Sequence, residues 1–248
     1  MKYPADYQAK PNLLANKVIL VTGAGDGIGK ATAIAAAEYG ATVVLVGKTV
    51  SKLEATYDEI EKLGAPTPAI YPINLEGASP QDYDQLAQTL RDNFSRLDGI
   101  VHNAAQMPYL SRLKDYEATD WVKVMHVNVT AAFMLTQACL ELLEETGNSS
   151  VIFSTDDVGH SIKPFYGAYA ASKHAIESLA LTWAAEMSHT DVRFNLLNPG
   201  ITLTPMRKRL FPGEDNAALT PPEERAKAYL WLLSDDTQGI SGTLVNCD

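Results

Sequence analysis

Lys17-Val18-Ile19-Leu20-Val21 runs straight into Thr22-Gly23-Ala24-Gly25-Asp26-Gly27-Ile28-Gly29. The four apolar residues after Lys17 read as a short buried strand, and the glycine-rich turn stops it. The alanine-rich stretch from Ile28 to Tyr39 that follows has helical character, and Gly40 supplies a residue that closes a helix in the left-handed region. A glycine turn between a first strand and a helix lets the backbone come close to a pyrophosphate, which the free amides and positive dipole of the helix start then attract. The spacing is not Gly-x-Gly-x-x-Gly, because position 28 is Ile and position 30 is Lys. It is Thr-Gly-x-x-x-Gly-Ile-Gly.

Outward from this turn the pattern repeats. Short apolar segments at Ala41–Val46, Ala69–Ile73, Gly99–His102, Ser150–Phe153, Val192–Leu197 and Thr243–Asn246 alternate with helical segments at Val50–Leu63, Pro80–Phe94, Trp121–Glu144, Ala168–Met187 and Pro222–Leu233. Strands apolar on both faces belong in a parallel sheet covered on both sides by helices. Seven strands and six helices predict a doubly wound α/β sheet within a single domain. No linker separates two cores. Residues 1–16 read as an N-terminal extension, and Thr204–Pro222, rich in proline and mixed in polarity, as a mobile loop or short helix beside the substrate.

Composition narrows the function classes. The chain has 248 residues, 46% of them apolar and 20% charged, with 16 Gly and 13 Pro. That profile excludes disorder, collagen and coiled coil. Lysine and arginine number 20 against 30 acidic residues, a net charge of −10, which argues against a nucleic-acid partner. Nothing in residues 1–16 resembles a signal peptide, and no stretch has about 20 continuous apolar residues, so no membrane span and a cytoplasmic location are expected. Cys139 and Cys247 read as reduced and structural. The five histidines are dispersed and lack His-Glu-x-x-His spacing, so no metal site is expected.

The glycine turn, Asn103-Ala104-Ala105, Asn128, Tyr169-x-x-x-Lys173 and Asn198-Pro199-Gly200 occur in this order along nearly the whole chain. In them the chain resembles the short-chain dehydrogenase/reductase family, and the runs Phe133-Met134-Leu135-Thr136-Gln137 and Gly167-Ala168-Tyr169-Ala170-Ala171-Ser172-Lys173 resemble one bacterial oxidoreductase branch of it. The resemblance implies a Rossmann-like fold and hydride transfer between a nicotinamide dinucleotide and a carbonyl or secondary alcohol. It places Gly23, Asp26, Gly27, Ile28, Gly29, Asn74, Leu75, Asn103, Ala104, Pro199, Gly200, Thr202 and Thr204 around the cofactor. Tyr169 would exchange the proton, Lys173 would hold the ribose and tune the phenol, and Asn128 would anchor Lys173 through water. Four-residue spacing puts Tyr169 and Lys173 on one helix face, where an ammonium is expected to draw the phenol below its free pKa of about 10. Homodimers or homotetramers through the two long helices are implied as well.

Cofactor choice is read from charge. An NAD site usually carries an acid at the end of the second strand, and here the chain reads Val46-Gly47-Lys48-Thr49. The missing acid and the Lys48 cation favour NADP(H) over NAD(H). The family's serine, about thirteen residues before the tyrosine, falls on Asp156. An ionised Asp156 would repel an oxyanion and raise the Tyr169 pKa, whereas a protonated one would donate a hydrogen bond. Otherwise Thr155 or Ser154 fills the role after a slip, or Asp156 faces solvent. Two functions therefore stand side by side: an oxidoreductase, and a dinucleotide-binding protein with weak or no catalysis. A sugar epimerase or dehydratase is disfavoured by the glycine spacing. Met206, Leu210 and Phe211 interleave with Arg207, Lys208 and Arg209, cations that either recruit an anionic substrate or are simply solvated.

Overall fold

Strand residues alternate between two buried faces, and this sorts the helices into two layers. A computed structural model describes all residues 1–248. Its elements are β1 (Val18–Thr22), α1 (Gly27–Glu38), β2 (Thr42–Gly47), α2 (Val50–Lys62), β3 (Ala69–Pro72), α3 (Pro80–Phe94), β4 (Gly99–His102), α4 (Ala118–Met125), α5 (Ala131–Thr146), β5 (Ser150–Ser154), α6 (Gly167–Glu186), β6 (Arg193–Asn198), α7 (Pro205–Leu210), α8 (Pro222–Leu233) and β7 (Leu244–Asn246). Leu20, Val44, Ile100, Val151 and Phe153 face a core built with α3, α5 and α6. Ile19, Val21, Val43, Leu45, Val101 and Ile152 face the opposite core, with α1, α2 and α8. Period-two alternation within continuously apolar strands thus feeds both sides of one sheet.

All pairs are parallel, in the order β3-β2-β1-β4-β5-β6-β7. β1 therefore lies between β2 and β4, so the chain's first and second halves diverge from the centre of the sheet. The crevice beyond the carboxyl ends of β1 and β4 is where such sheets bind ligands. Caps follow the sequence. Asp26 accepts from the Gly27 amide at 2.8 Å to start α1, and Gly40, at φ +95°, ends it. Ser79 and Asp82 form a capping box ahead of α3.

One segment departs from expectation. The predicted helix Trp121–Glu144 is interrupted by a π-helical turn, His126–Thr130, between α4 and α5. Within that turn the Asn128 side chain accepts from the Gln106 amide at 2.7 Å and donates to the Gln106 carbonyl at 3.0 Å and Ser172 Oγ at 2.9 Å. These tertiary bonds pin the wide turn, a common arrangement where helices carry functional residues. The N-terminal extension packs onto α8. Leu14 is fully buried, and the rings of Tyr3 and Tyr7 stand edge-on to Trp231 of α8 at 5.9 and 6.4 Å.

Candidate active site

The glycine turn is shaped by its neighbours. A Cβ at Gly29 would overlap the Gly23 carbonyl and the Asn103 amide, and one at Gly25 would lie 2.8 Å from Lys52 Cβ. Gly23 and Gly27 adopt φ of +69° and +50°, a region that disfavours side chains. Asp26 is the N-cap of α1 and pairs with Lys52, a partner that only the fold brings close. Beyond this cap the amides of Ile28 and Gly29 make no hydrogen bond within the chain. A glycine-rich helix start at a switch point, with the Ile28 and Gly29 amides left free, fits a dinucleotide pyrophosphate.

Asn103, Ala104 and Thr204 lie against this start. Thr22 Oγ1 accepts from the amides of Asn103 and Ala104, both at 3.1 Å, and so locks the β4 exit against the turn. Gly200 turns the chain at φ +71°, and Thr202 Oγ1 donates to its carbonyl at 3.0 Å. Thr204 caps α7 by accepting from the Arg207 amide at 3.1 Å, and its methyl would lie 3.3 Å from a Cβ on Gly27. The threonine is thus both a helix cap and a wall of the cradle. Lys48 and Asn74 stand exposed after β2 and β3, away from β5 along the sheet. Asn74 Oδ1 accepts from the Glu76 amide at 3.2 Å.

Leu75, Ala104, Asn128 and Lys173 line one small, partly open pocket of about 10 Å³ that also touches Thr22, His102 and Ser154. Such a volume is on the order of a single water molecule.

Tyr169 and Lys173, one turn apart on α6, are both buried, at 7% and 5% exposure. Lys173 Nζ lies 5.4 Å from the centre of the Tyr169 ring and donates to the Ser154 carbonyl at 2.7 Å. Burial brings its pKa down from 10.5 to about 8, against opposing attraction from Asp156 and Glu177. The Tyr169 phenol moves the other way. Burial first, and then the charge and hydrogen bond of Asp156, hold it well above its ordinary range. The expectation that Lys173 would make this phenol more acidic is therefore corrected. The ammonium is directed at the Ser154 carbonyl, while a carboxylate faces the hydroxyl.

That carboxylate occupies the serine's place. The Tyr169 hydroxyl donates to Asp156 Oδ2 at 3.2 Å, and the Val158 amide donates to Oδ1 at 3.2 Å. Both neighbouring hydroxyls are bonded elsewhere. Ser154 Oγ is bonded to the Tyr229 hydroxyl at 2.8 Å, and Thr155 Oγ1 donates to Glu177 at 2.6 Å. Nor does Asp156 face solvent freely, since it is half-buried against the phenol.

Met107 and Val158 pack against Tyr169, joined by Leu110, Tyr166, Met206 and Leu210, and form an apolar wall over the site. Sequence reasoning missed Met107 and Val158, whose apolar character had no periodic context to single it out. Two of the three basic residues on α7 are committed within the chain rather than to an anionic substrate. Arg209 donates to the carbonyls of Met107 and Pro108, both at 2.7 Å, and Arg207 is forked onto Glu214. Lys208 alone of the three is exposed without such a bond.

Comparison with known proteins agrees with this geometry. The sequence model of the short chain dehydrogenase family matches residues 17–215. The uncharacterized oxidoreductase YciK of Escherichia coli K12 is 40% identical over 236 residues, 95% of this chain and 93% of that protein. A solved structure from Pseudomonas syringae superposes with a TM-score of 0.96 at 43% identity, covering 98% of this chain and 99% of the other. Another, from Escherichia coli CFT073 in complex with NADPH, has a TM-score of 0.92 at 40% identity, covering 96% and 98%. The matched span contains both the glycine turn and the Tyr169–Lys173 pair, and the chain belongs to the short-chain dehydrogenase family of oxidoreductases.

Proposed function

We propose that the chain transfers a hydride between NADP(H) and a carbonyl or secondary alcohol. The observation that carries this reading is the buried Tyr169–Lys173 pair in a sheet whose central helix start leaves the Ile28 and Gly29 amides free. When bound, the dinucleotide supplies the redox chemistry. The chain's own residues do the rest. The amides of Ile28 and Gly29 and the walls at Asn103, Ala104, Pro199, Gly200, Thr202 and Thr204 hold it, with Asn74 and Leu75 toward its adenine. Lys173 binds the ribose, Asn128 holds the floor beneath Lys173, and Tyr169 passes a proton to the substrate oxygen. The exposed Lys48, with no acid beside it, supports the phosphorylated dinucleotide, as does the NADPH held by the neighbour from E. coli CFT073. Exposed Phe133 on α5 and Leu181 on α6 support assembly through those helices.

Tyr169→Phe tests the proton role. It should lower kcat by about 10² to 10⁴ with NADPH affinity unchanged, and full turnover in this variant would refute the assignment. Lys48→Ala should weaken NADPH by about tenfold and NADH hardly at all. A second reading rests on Asp156, which points an acceptor where a carbonyl oxygen would sit. On it the protein binds NADP(H) but turns carbonyls over slowly or not at all. A ketone panel run with the native chain and with Asp156→Ser separates the two.

A further inference from the structure

Asp156 is held, not merely present. One oxygen is fixed by the Val158 amide and the other lies 3.2 Å from the Tyr169 hydroxyl, so the carboxylate cannot swing away without losing both bonds. No Lys, Arg or His nitrogen comes within ion-pair distance of it, and the nearest buried amine, Lys173, is spent on the Ser154 carbonyl. Asp156 attracts Lys173 through space but forms no ion pair, so a positively charged N–H donor from a ligand would gain a charge-assisted bond here. A ketone offers none. Its oxygen is an acceptor that gains negative charge during reduction and meets like charge on Asp156. The hydroxyls that would relieve this, on Ser154 and Thr155, face Tyr229 and Glu177.

We propose that this site also reduces C=N bonds, and prefers protonated imines with an apolar body to the corresponding ketones, with Asp156 as the residue that selects them. The inference rests on the reading above, that a nicotinamide dinucleotide is bound and gives up hydride here. The iminium N–H donates to Asp156 Oδ2, hydride from the reduced dinucleotide bonds to the imine carbon, and the C=N π pair becomes the nitrogen lone pair. The dinucleotide is oxidised, the imine is reduced to a neutral amine, and the amine takes a proton from water as it leaves. Tyr169 surrenders no proton in this sequence, in keeping with a phenol that burial and Asp156 hold protonated. Met107, Val158, Met206 and Leu210 supply apolar surface for the substituents.

The test uses the full chain, with NADPH binding measured first by calorimetry. Initial rates with 2-methyl-1-pyrroline and with 2-methylcyclopentanone, a ketone of the same ring size, then give the imine-to-ketone ratio of kcat/KM for the native chain, Asp156→Ser and Asp156→Asn. A charge-assisted hydrogen bond predicts a native ratio above one that falls by about 10- to 100-fold in both variants. A second readout needs no turnover. With NADP⁺ present, 2-methylpyrrolidine should bind at least about tenfold more tightly than 2-methylcyclopentanol, and the Asp156 variants should lose that preference. A native chain that binds NADPH, reduces the ketone and shows no preference for imine or amine overturns this inference and leaves the proposed function standing. Failure to bind NADPH removes both.

Discussion

Replacing Lys173 by Met should leave the free protein as stable at neutral pH as the native chain, or more so, while abolishing the site. Lys173 is 5% exposed, and burial lowers its pKa from 10.5 to about 8. The unfolded chain keeps its proton up to the ordinary value. At about 1.4 kcal/mol per pKa unit, carrying the charge into the folded interior at pH 7 costs about 3 kcal/mol. Methionine fills a similar volume without that cost but forgoes the 2.7 Å bond to the Ser154 carbonyl, a charged-donor bond contributing about 1.5–3 kcal/mol. The net change is a stabilisation of about 0–1.5 kcal/mol, and each kcal/mol raises Tm by roughly 2–4 °C at this chain length. Between pH 8 and 10.5 the unfolded state binds a proton that the folded state has released, so native stability climbs with pH. Between pH 7 and 9.5 the lysine's cost should shrink by about 2 kcal/mol, and Lys173→Met has no such cost to lose. Urea unfolding of both proteins at pH 7 and 9.5, without dinucleotide, reads the difference directly. If the native-minus-variant stability is the same at both pH values, the burial argument is wrong.

Gly29→Ala places a methyl against the Gly23 carbonyl and the Asn103 side chain. It should cost about 1–3 kcal/mol in thermal melts and weaken NADPH binding by at least about tenfold. Tyr229→Phe removes the 2.8 Å buried bond to Ser154 Oγ. It should cost about 1–3 kcal/mol of stability and leave kcat within about threefold of native. A large loss of turnover in the refoldable variant would instead give Ser154 a part in the chemistry.

The sheet was legible because strands buried on both faces cannot hide their composition. Continuous β-branched runs mark β1 and β2, and glycine and proline mark where they stop. The boundaries of α3, β4 and α8 fall where Pro80, Gly99 and Pro222 place them. The break at His126–Thr130 was illegible because apolar residues continue through it. Its cause is a bond from Asn128 to Gln106, 22 residues earlier. Asp156 was identified by counting, but its meaning was not. Whether Ser154 or Thr155 could substitute depended on Tyr229 and Glu177, 75 and 22 residues further on. Helical spacing likewise put Lys173 beside Tyr169 without saying which acceptor a flexible amine would choose. Burial decided this by offering the Ser154 carbonyl. The arginines of α7 read as free charge for the same reason, since Glu214 and the carbonyls at 107 and 108 are neighbours only in space.

Asp156 also bears on the direction in which the site runs. If Tyr169 exchanges the proton as proposed, alcohol oxidation would need it as a phenolate base and carbonyl reduction would need it protonated. Burial and the Asp156 charge both raise the phenol, while the same carboxylate, together with Glu177, opposes the loss of the proton from Lys173. A serine at this position would take away that support from both groups, making the phenol easier to ionise and the amine easier to neutralise. One substitution thus biases two titrating neighbours toward holding protons. On the proposed hydride-transfer reading, a phenol held protonated would favour reduction over the proton abstraction with which alcohol oxidation begins.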